Sequence, residues 1–329
     1  MNLVQEIYFV IHFILTTRLI LLSYLLKRII AVVPIAFSVI IIISLMTYII
    51  PGDPVDQLLG DFATLAQKNF LRSQLGLDRS VFSQISHYLY SILGGDFGTS
   101  LFYNKSVQEL IGERIFPTIE LALYSILLAI FISIPLGSLG AKNKGTIIDH
   151  VTSFLSLAGV AIPNFWLGPL LILLFSVHLE LLPVSGRESW DSYILPVLTL
   201  GTALCAVLTR VTRNSFLENM HENYIRTARS KGQTELIIMF KHIFKNACLP
   251  IITVLGLQFG VLLTGAVITE KIFDWPGLGT LFIDALSNRD YPLIQACILF
   301  FSIIYLCVNL MVDLSYTCLD PRIDLESKK

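Results

Sequence analysis

The stretch Tyr224-Ile225-Arg226-Thr227-Ala228-Arg229-Ser230-Lys231-Gly232, running on through Lys241-His242 and Asn246-Ala247 to Leu249-Pro250, decides how the rest of the chain is read. It is the longest polar interruption of the C-terminal half, and counted from Arg210 it carries seven basic side chains. Apolar runs of membrane length flank it. From Tyr224 to Lys231 the spacing predicts a short helix, with Tyr224, Ile225 and Ala228 on one face and Arg226 and Arg229 on another. Gly232 is placed to end it, because glycine enters the left-handed conformation of a helix C-terminus without a Cβ penalty. Thr234 can then cap a second helix whose apolar residues Leu236, Ile237, Phe240, Ile243, Phe244 and Ala247 repeat at helical spacing, with Lys241 and Lys245 on the other side. On pattern alone the same residues also suit a solvated basic loop held on one side of a membrane by the positive-inside tendency.

A chain of 329 residues with 54% hydrophobic and 14% charged residues, and a mean hydropathy of +0.73, is too apolar for a soluble globule. The net charge of −1 says little, because the charges are sorted by position. Cys205, Cys248, Cys297, Cys307 and Cys318 lie in or beside apolar runs with no close pair, which predicts neither a disulfide nor a metal site.

Apolar runs at Ile29 to Ile50, Ile119 to Gly140, Val151 to Val177, Ile194 to Leu208, Cys248 to Thr269 and Leu293 to Leu314 predict six membrane-spanning helices. Residues 1–26 contain Glu6, His12 and Arg18 and lack a signal-peptide cleavage site, which suits an amphipathic interfacial extension. Residues 27–50 hold the first span, stopped by Pro51-Gly52-Asp53-Pro54. Residues 51–117 form a small helical region outside the membrane, with a helix from Val81 to Leu93 whose buried stripe is Val81, Phe82, Ile85, Leu89 and Ile92. Residues 118–314 make a five-helix core with the polar loop at 214–247, and 315–329 a tail. With the N-terminus inside, 15 lysines and arginines fall on the inner side and eight on the outer, mostly in the long outer region. The expected fold is therefore an all-α integral membrane protein with six transmembrane helices, a small periplasmic helical region between the first and second, and both termini cytoplasmic.

Transport against a gradient needs an energy source. A carrier that powers itself shows ionisable residues within its spans, yet Glu120, Arg210 and Asp313 stand near span ends, where snorkelling or capping accounts for them. No Gly-x-x-x-x-Gly-Lys-Ser/Thr loop occurs that would bind nucleotide. His12, His87, His150, His178, His221 and His242 are scattered without ligand spacing, and no Gly-x-Ser-x-Gly elbow is present, so catalytic readings are poor. Energy must arrive from a partner, and the helix pair around Gly232 is the candidate socket.

The Tyr224–Gly232 string with Lys241-His242, Asn246-Ala247 and Leu249-Pro250 resembles the cytoplasmic loop of permease subunits of bacterial ATP-binding-cassette importers, in the dipeptide, oligopeptide, glutathione and nickel branch. Six further motifs resemble that branch in the expected order: Pro51-Gly52-Asp53-Pro54, Leu75-Gly76-Leu77-Asp78, Gly95-Asp96-Phe97-Gly98, Phe273 to Gly279, Arg289-Asp290-Tyr291-Pro292 and Asp320-Pro321-Arg322. Together they cover nearly the whole chain after Leu26. Arg226-Thr227-Ala228 replaces the Glu-Ala-Ala of the general importer pattern, so residue roles from sugar or amino-acid permeases do not carry over.

The resemblance implies a coupling helix docked on an ATPase, using Tyr224, Arg226, Thr227, Ala228, Arg229, Lys231, Gly232, Lys241 and His242. It implies two ATPase subunits that bind the ATP and magnesium, a second homologous permease and an external solute-binding protein, in the bacterial inner membrane; no cofactor is held by this chain and no nucleic acid is involved. ATP binding would close the ATPase dimer, carry the coupling helix with it and turn the spans outward. Asp274, Trp275, Pro276, Gly277, Arg289, Asp290 and Tyr291 fall on the outer side, where the family meets its binding protein.

Pro163-Asn164-Phe165-Trp166 breaks a helix within the membrane, and such breaks often line a pathway. Asn164 and Trp166, with Gln258 and Thr264, are the candidate path residues; Asn309 is a further polar group in hydrocarbon, and Gly256, Gly260 and Gly265 suit close helix approach. The implied substrate is a small peptide, including glutathione. A nickel or metal-chelate permease of the same branch is the nearest alternative. A proton-coupled peptide carrier and a structural scaffold come from other classes, and the absence of carboxylates from span middles disfavours the carrier.

Overall fold

A computed structural model describes residues 63–74 and 80–319, together with Asp78 and isolated positions between 30 and 59. The extension 1–26, most of the first span, the motifs at 51–54 and 320–322, Leu75 to Leu77, and the tail from 320 lie outside the described residues.

Two short helices, α1 (Leu65–Gln74) and α2 (Val81–Leu93), precede the bundle. Helix α2 has the expected bounds. Ser80 caps it by accepting from Ser83 N, and Gly94 follows its last turn. Its stripe is looser than expected: Ile85, Leu89 and Ile92 are half-buried, but Phe82 is 83% exposed. Residues 97–106 rest on the bundle. Phe97 packs on Phe300 at 5.4 Å, and Asp290 accepts from Ser100 Oγ and Phe102 N.

The bundle consists of α3 (Val107–Lys142), α4 (Ile147–Ala161), α5 (Asn164–Leu171, prolonged by a π-helical Ile172–His178), α6 (Asp191–Met220) and α9 (Phe244–Ile272). The short helices α7 (Asn223–Ser230) and α8 (Glu235–Ile237) precede α9, and α10 (Leu278–Ser287) and α11 (Tyr291–Leu319) follow it. Four of the described helices are long and apolar enough to cross a membrane: α3, α6, the continuous helix from Glu235, and α11. Each outruns its apolar core, because about 20 residues suffice for the hydrocarbon and the ends project beyond it.

The expected span from Val151 to Val177 is a bent pair instead. Helices α4 and α5 meet at 99° across Ile162-Pro163, where proline removes a backbone donor and pushes the preceding residue out of the helical region. Counted as one span, the pair brings the total to five.

Helix α3, about 50 Å long from its 36 residues, sets the two ends of the molecule. Its first turns join α10 and the start of α11 in one apolar cluster of Val107, Leu110, Ile111, Leu278, Leu281 and Leu293. Its last turn reaches the opposite cluster, where Ala141 meets Phe216, Ile225, Ala228, Ile238, Ile243 and Ala247. Between them, Leu121 and Ala129 pack with Leu200, Leu204, Phe259 and Leu262. The segments around 97–106, 187–193 and 273–293 thus gather at one end, and those around 141–149 and 213–247 at the other, the alternation that successive crossings require.

Small residues hold the helices close. A Cβ on Gly137 would stand 2.6 Å from Thr212 Cβ across α3 and α6, and one on Gly159 would stand 2.8 Å from Ala206 Cβ across α4 and α6. Gly256 and Gly260 admit Val312 and Tyr305 of α11 in the same way, as expected; the surroundings of Gly265 lie outside what is described.

Candidate functional site

Helix α7 is two-sided. Ile225 and Ala228 are buried against Phe216, Ile238, Ile243 and Ala247, while Arg226, Thr227, Arg229 and Lys231 are exposed. Gly232 terminates it at φ +72°, with Gly232 N donating to Arg229 O and Gln233 N to Ala228 O, the pairing of a glycine-closed helix end. Tyr224 departs from its expected face: it is exposed, its hydroxyl donates to Asn219 Oδ1 at 2.8 Å, and it accepts from Asn246 Nδ2 at 2.9 Å. It thereby pins α7 to both α6 and α9. His242 is half-buried with Nε2 2.7 Å from Gln233 Oε1, and Lys241 is exposed.

The second helix is no separate element. From Glu235 it runs without a break into α9, through a π-helical segment at Ile238–Ile243. Thr234 occupies its N-cap position without a side-chain cap bond. The expected apolar stripe is partly overturned: Leu236, Ile237 and Phe240 are 65%, 46% and 69% exposed, and Ile238 replaces them in the core beside Ile243 and Ala247. A π segment widens each turn by a residue and rotates the residues before it relative to those after it, which moves the stripe off its 3.6-residue register.

Arg229 donates Nε and Nη2 to the two oxygens of Glu235 at 2.8 and 3.3 Å, and this hydrogen-bonded carboxylate holds the guanidinium above its ordinary range. With both partners about half exposed, the pair adds no more than about 1 kcal/mol. Arg229→Ala is expected to leave the melting temperature nearly unchanged. The ion pair beneath is different. Arg213 of α6 grips Asp149 of α4 through Nε at 2.5 Å and Nη2 at 2.8 Å, Asp149 Oδ2 also accepts from Gly145 N, and the Asp149 side chain is only 6% exposed. Asp149→Ala takes the carboxylate from a partly buried guanidinium and from Gly145 N and should cost about 1.5–3 kcal/mol, read as a lowered unfolding temperature of the purified protein.

The opposite end is closed by a knot that composition did not reveal. Glu270, fully buried, accepts from Thr118 Oγ1 at 2.6 Å, Gly279 N at 2.7 Å and Thr280 N at 3.1 Å. Trp275, also fully buried, donates Nε1 to Pro117 O at 3.0 Å, and its carbonyl accepts from Thr280 Oγ1 at 2.7 Å. Of the seven expected outer-face residues, Asp274 is exposed and Pro276 and Arg289 are half-buried. Trp275, Gly277, Asp290 and Tyr291 are buried and build the cap from within. Asp290 secures the cap to residues 100–102 and to Leu293 N.

Among the expected path residues, Asn164 begins α5 at the break, Trp166 is 54% exposed on the same short helix, and Gln258 is half-buried on α9; the side chain of Thr264 lies outside the described set. No hydrogen bond joins any two of the first three among the described residues.

Comparison with known proteins places this architecture. Residues 133–325 match the model of the binding-protein-dependent transport system inner membrane component family, and residues 21–122 match that of the N-terminal region of the same membrane components. The glutathione transport system permease protein GsiC of Escherichia coli (strain K12) is 41% identical over 303 residues, 92% of this chain and 99% of that protein. Its counterpart in Salmonella typhi shows the same identity and coverage. An inward-facing structure of the MetNI methionine ABC transporter superposes with a TM-score of 0.55 at 16% identity, covering 65% of this chain and 97% of that one. An amino acid ABC transporter solved with histidines gives 0.50 at 17% identity, covering 63% and 93%. A non-catalytic, multi-pass protein, this chain belongs to the family of inner membrane components of binding-protein-dependent ABC transport systems.

Proposed function

We propose that the chain is the permease subunit of an ATP-driven importer for glutathione and related small peptides, working with a second permease, two ATPases and a solute-binding protein. The observation that carries this reading is α7: its basic face is exposed while Ile225 and Ala228 lock it to the ends of α6 and α9, so a push on it moves two spans together. The 41% identity to glutathione permeases over nearly the whole chain supports the substrate class.

In this reading the first span completes a set of six, both termini and the α7 end are cytoplasmic, and residues 51–117 face the periplasm, as the lysine and arginine distribution favours. Tyr224, Arg226, Thr227, Arg229, Lys231, Lys241 and His242 meet the ATPase or hold the helix that does, and ATP with its magnesium stays on that partner. Asp274, Pro276 and Arg289 offer the accessible edge of the cap to the binding protein. When the ATPases close, α7 is carried with them, the Asp149–Arg213 pair keeps α4 and α6 moving as a unit, and the spans open outward to receive solute.

Vesicles containing the complete set should accumulate glutathione only with ATP and the binding protein present. This chain alone, in vesicles under a pH gradient, should accumulate none. Uptake by the chain alone would overturn the reading in favour of a proton-coupled carrier.

A further inference from the structure

At the capped end, Arg187 and Glu120 lie side by side on separate segments. Arg187, in the connection between α5 and α6, donates Nη2 to Glu120 Oε2 at 2.5 Å and Nε to the Tyr193 hydroxyl at 3.0 Å, and that hydroxyl donates to Glu120 Oε2 at 3.2 Å. The guanidinium carbon stands 5.9 Å from the Trp275 ring centre. The two charged side chains remain 32% and 37% exposed. Arg187 Nη1 and Glu120 Oε1 have no hydrogen-bond partner among the described residues.

Three aromatic rings stand around the pair. Tyr124, Trp190 and Tyr193 lie within 5.5–6.5 Å of one another, centre to centre, and Trp190 is 78% exposed. An ion pair this exposed to solvent contributes little to stability, and an indole this open adds little to the core. The cluster is a weak staple with unused bonding capacity of both signs.

We propose that Glu120 and Arg187, walled by Tyr124, Trp190 and Tyr193, form a subsite for an α-amino-acid head group, the zwitterion that a γ-linked glutamyl peptide carries. The proposal rests on the permease reading above and selects within its substrate class. In such a head the ammonium nitrogen and the carboxylate carbon are bonded to one Cα and lie about 2.5 Å apart. Both charges can therefore meet adjacent partners of opposite sign, the ammonium at Glu120 Oε1 and the carboxylate at Arg187 Nη1. In the isomer with an α-linked glutamate the carboxylate nearest the ammonium is that of the side chain, two methylenes farther out and free to rotate, so the two charges lose the fixed spacing of about 2.5 Å set by a shared Cα. The aromatic faces favour the ammonium through their ring quadrupoles.

The test uses the assembled permease complex in lipid nanodiscs, with Trp166→Phe so that Trp190 and Trp275 report in this chain. Glutathione should change the tryptophan emission at millimolar concentration, while its isomer with an α-linked glutamate should bind about tenfold more weakly, because its ammonium and side-chain carboxylate do not share the fixed spacing of the head group and must be ordered on binding. Arg187→Gln and Glu120→Gln should each abolish the preference with melting temperature unchanged, Arg187→Lys should restore part of it, and Trp190→Phe should leave only the response of Trp275. Equal response to both isomers, no response to either, or a preference that survives Arg187→Gln overturns the subsite. Should Arg187→Gln fail to fold, the isosteric Glu120→Gln decides alone. ATP-driven uptake measured in parallel separates the two readings: discriminating emission without any uptake would overturn the importer and leave the subsite standing.

Discussion

A Gly232→Val chain assembled with its partners is expected to hydrolyse ATP at close to the normal rate while importing at least about tenfold less solute. Gly232 sits at φ +72° with open space around the position of a Cβ, so the substitution meets no neighbour and its whole penalty is conformational. A β-branched residue in the left-handed region costs on the order of 1–2 kcal/mol or more. That is too little to unfold a membrane bundle but enough to release the last turn of α7, where Gly232 N and Gln233 N hold the carbonyls of Arg229 and Ala228. Once that turn opens, the exposed basic face is no longer fixed to Ile225 and Ala228, and force on it is lost before it reaches α6 and α9. Gly232→Asn is the control, because asparagine tolerates this conformation far better than other residues with a Cβ. Uptake and ATPase rates measured together in vesicles check the pair. If valine and asparagine behave alike, conformation at this position is not what couples the helix.

The sequence made this hinge legible because a helix end is local: a glycine after a polar, helix-prone run is sufficient information. The same holds for the apolar runs, whose length alone announces a crossing, and for the break at Pro163. What stayed hidden depends on register or on distance. The exposed positions of Leu236 and Phe240 arise from a π segment that no 3.6-residue periodicity anticipates. Arg213 and Asp149 are 64 residues apart, and each alone looks like an ordinary membrane-boundary charge. Trp275 and Tyr291 read as outer-surface residues because proline and glycine surround them, yet the chain folds back so that Trp275 meets α3 and Tyr291 joins the cluster of α3 and α10.

Glu270 was the least visible of all, since one carboxylate at the end of an apolar run barely alters its mean hydropathy, and its partners Thr118 and Gly279 come from two other segments. Replacing it should have the largest effect on stability in the molecule. Glu270→Ala takes the acceptor from three buried donors, Thr118 Oγ1, Gly279 N and Thr280 N, and leaves a cavity where the carboxylate stood. Each stranded donor costs about 1–3 kcal/mol, so even with partial relaxation the total is about 3–5 kcal/mol, a fall in melting temperature on the order of 10 °C. Glu270→Gln keeps the shape and one acceptor oxygen, and Thr118 can rotate its hydroxyl toward Arg114 O, so less than half of that loss is expected. Gly277→Ala tests the same knot from the other side. Its Cβ would fall 2.3 Å from the Glu270 carboxyl carbon, within a group too tightly held to move, so the cap must shift away from α9. Thermal unfolding of the three purified variants should therefore rank alanine at 270 and alanine at 277 well below glutamine at 270. If Glu270→Ala melts within about 2 °C of the unaltered protein, water has replaced the carboxylate, and the cap is held by Trp275 and its apolar neighbours instead.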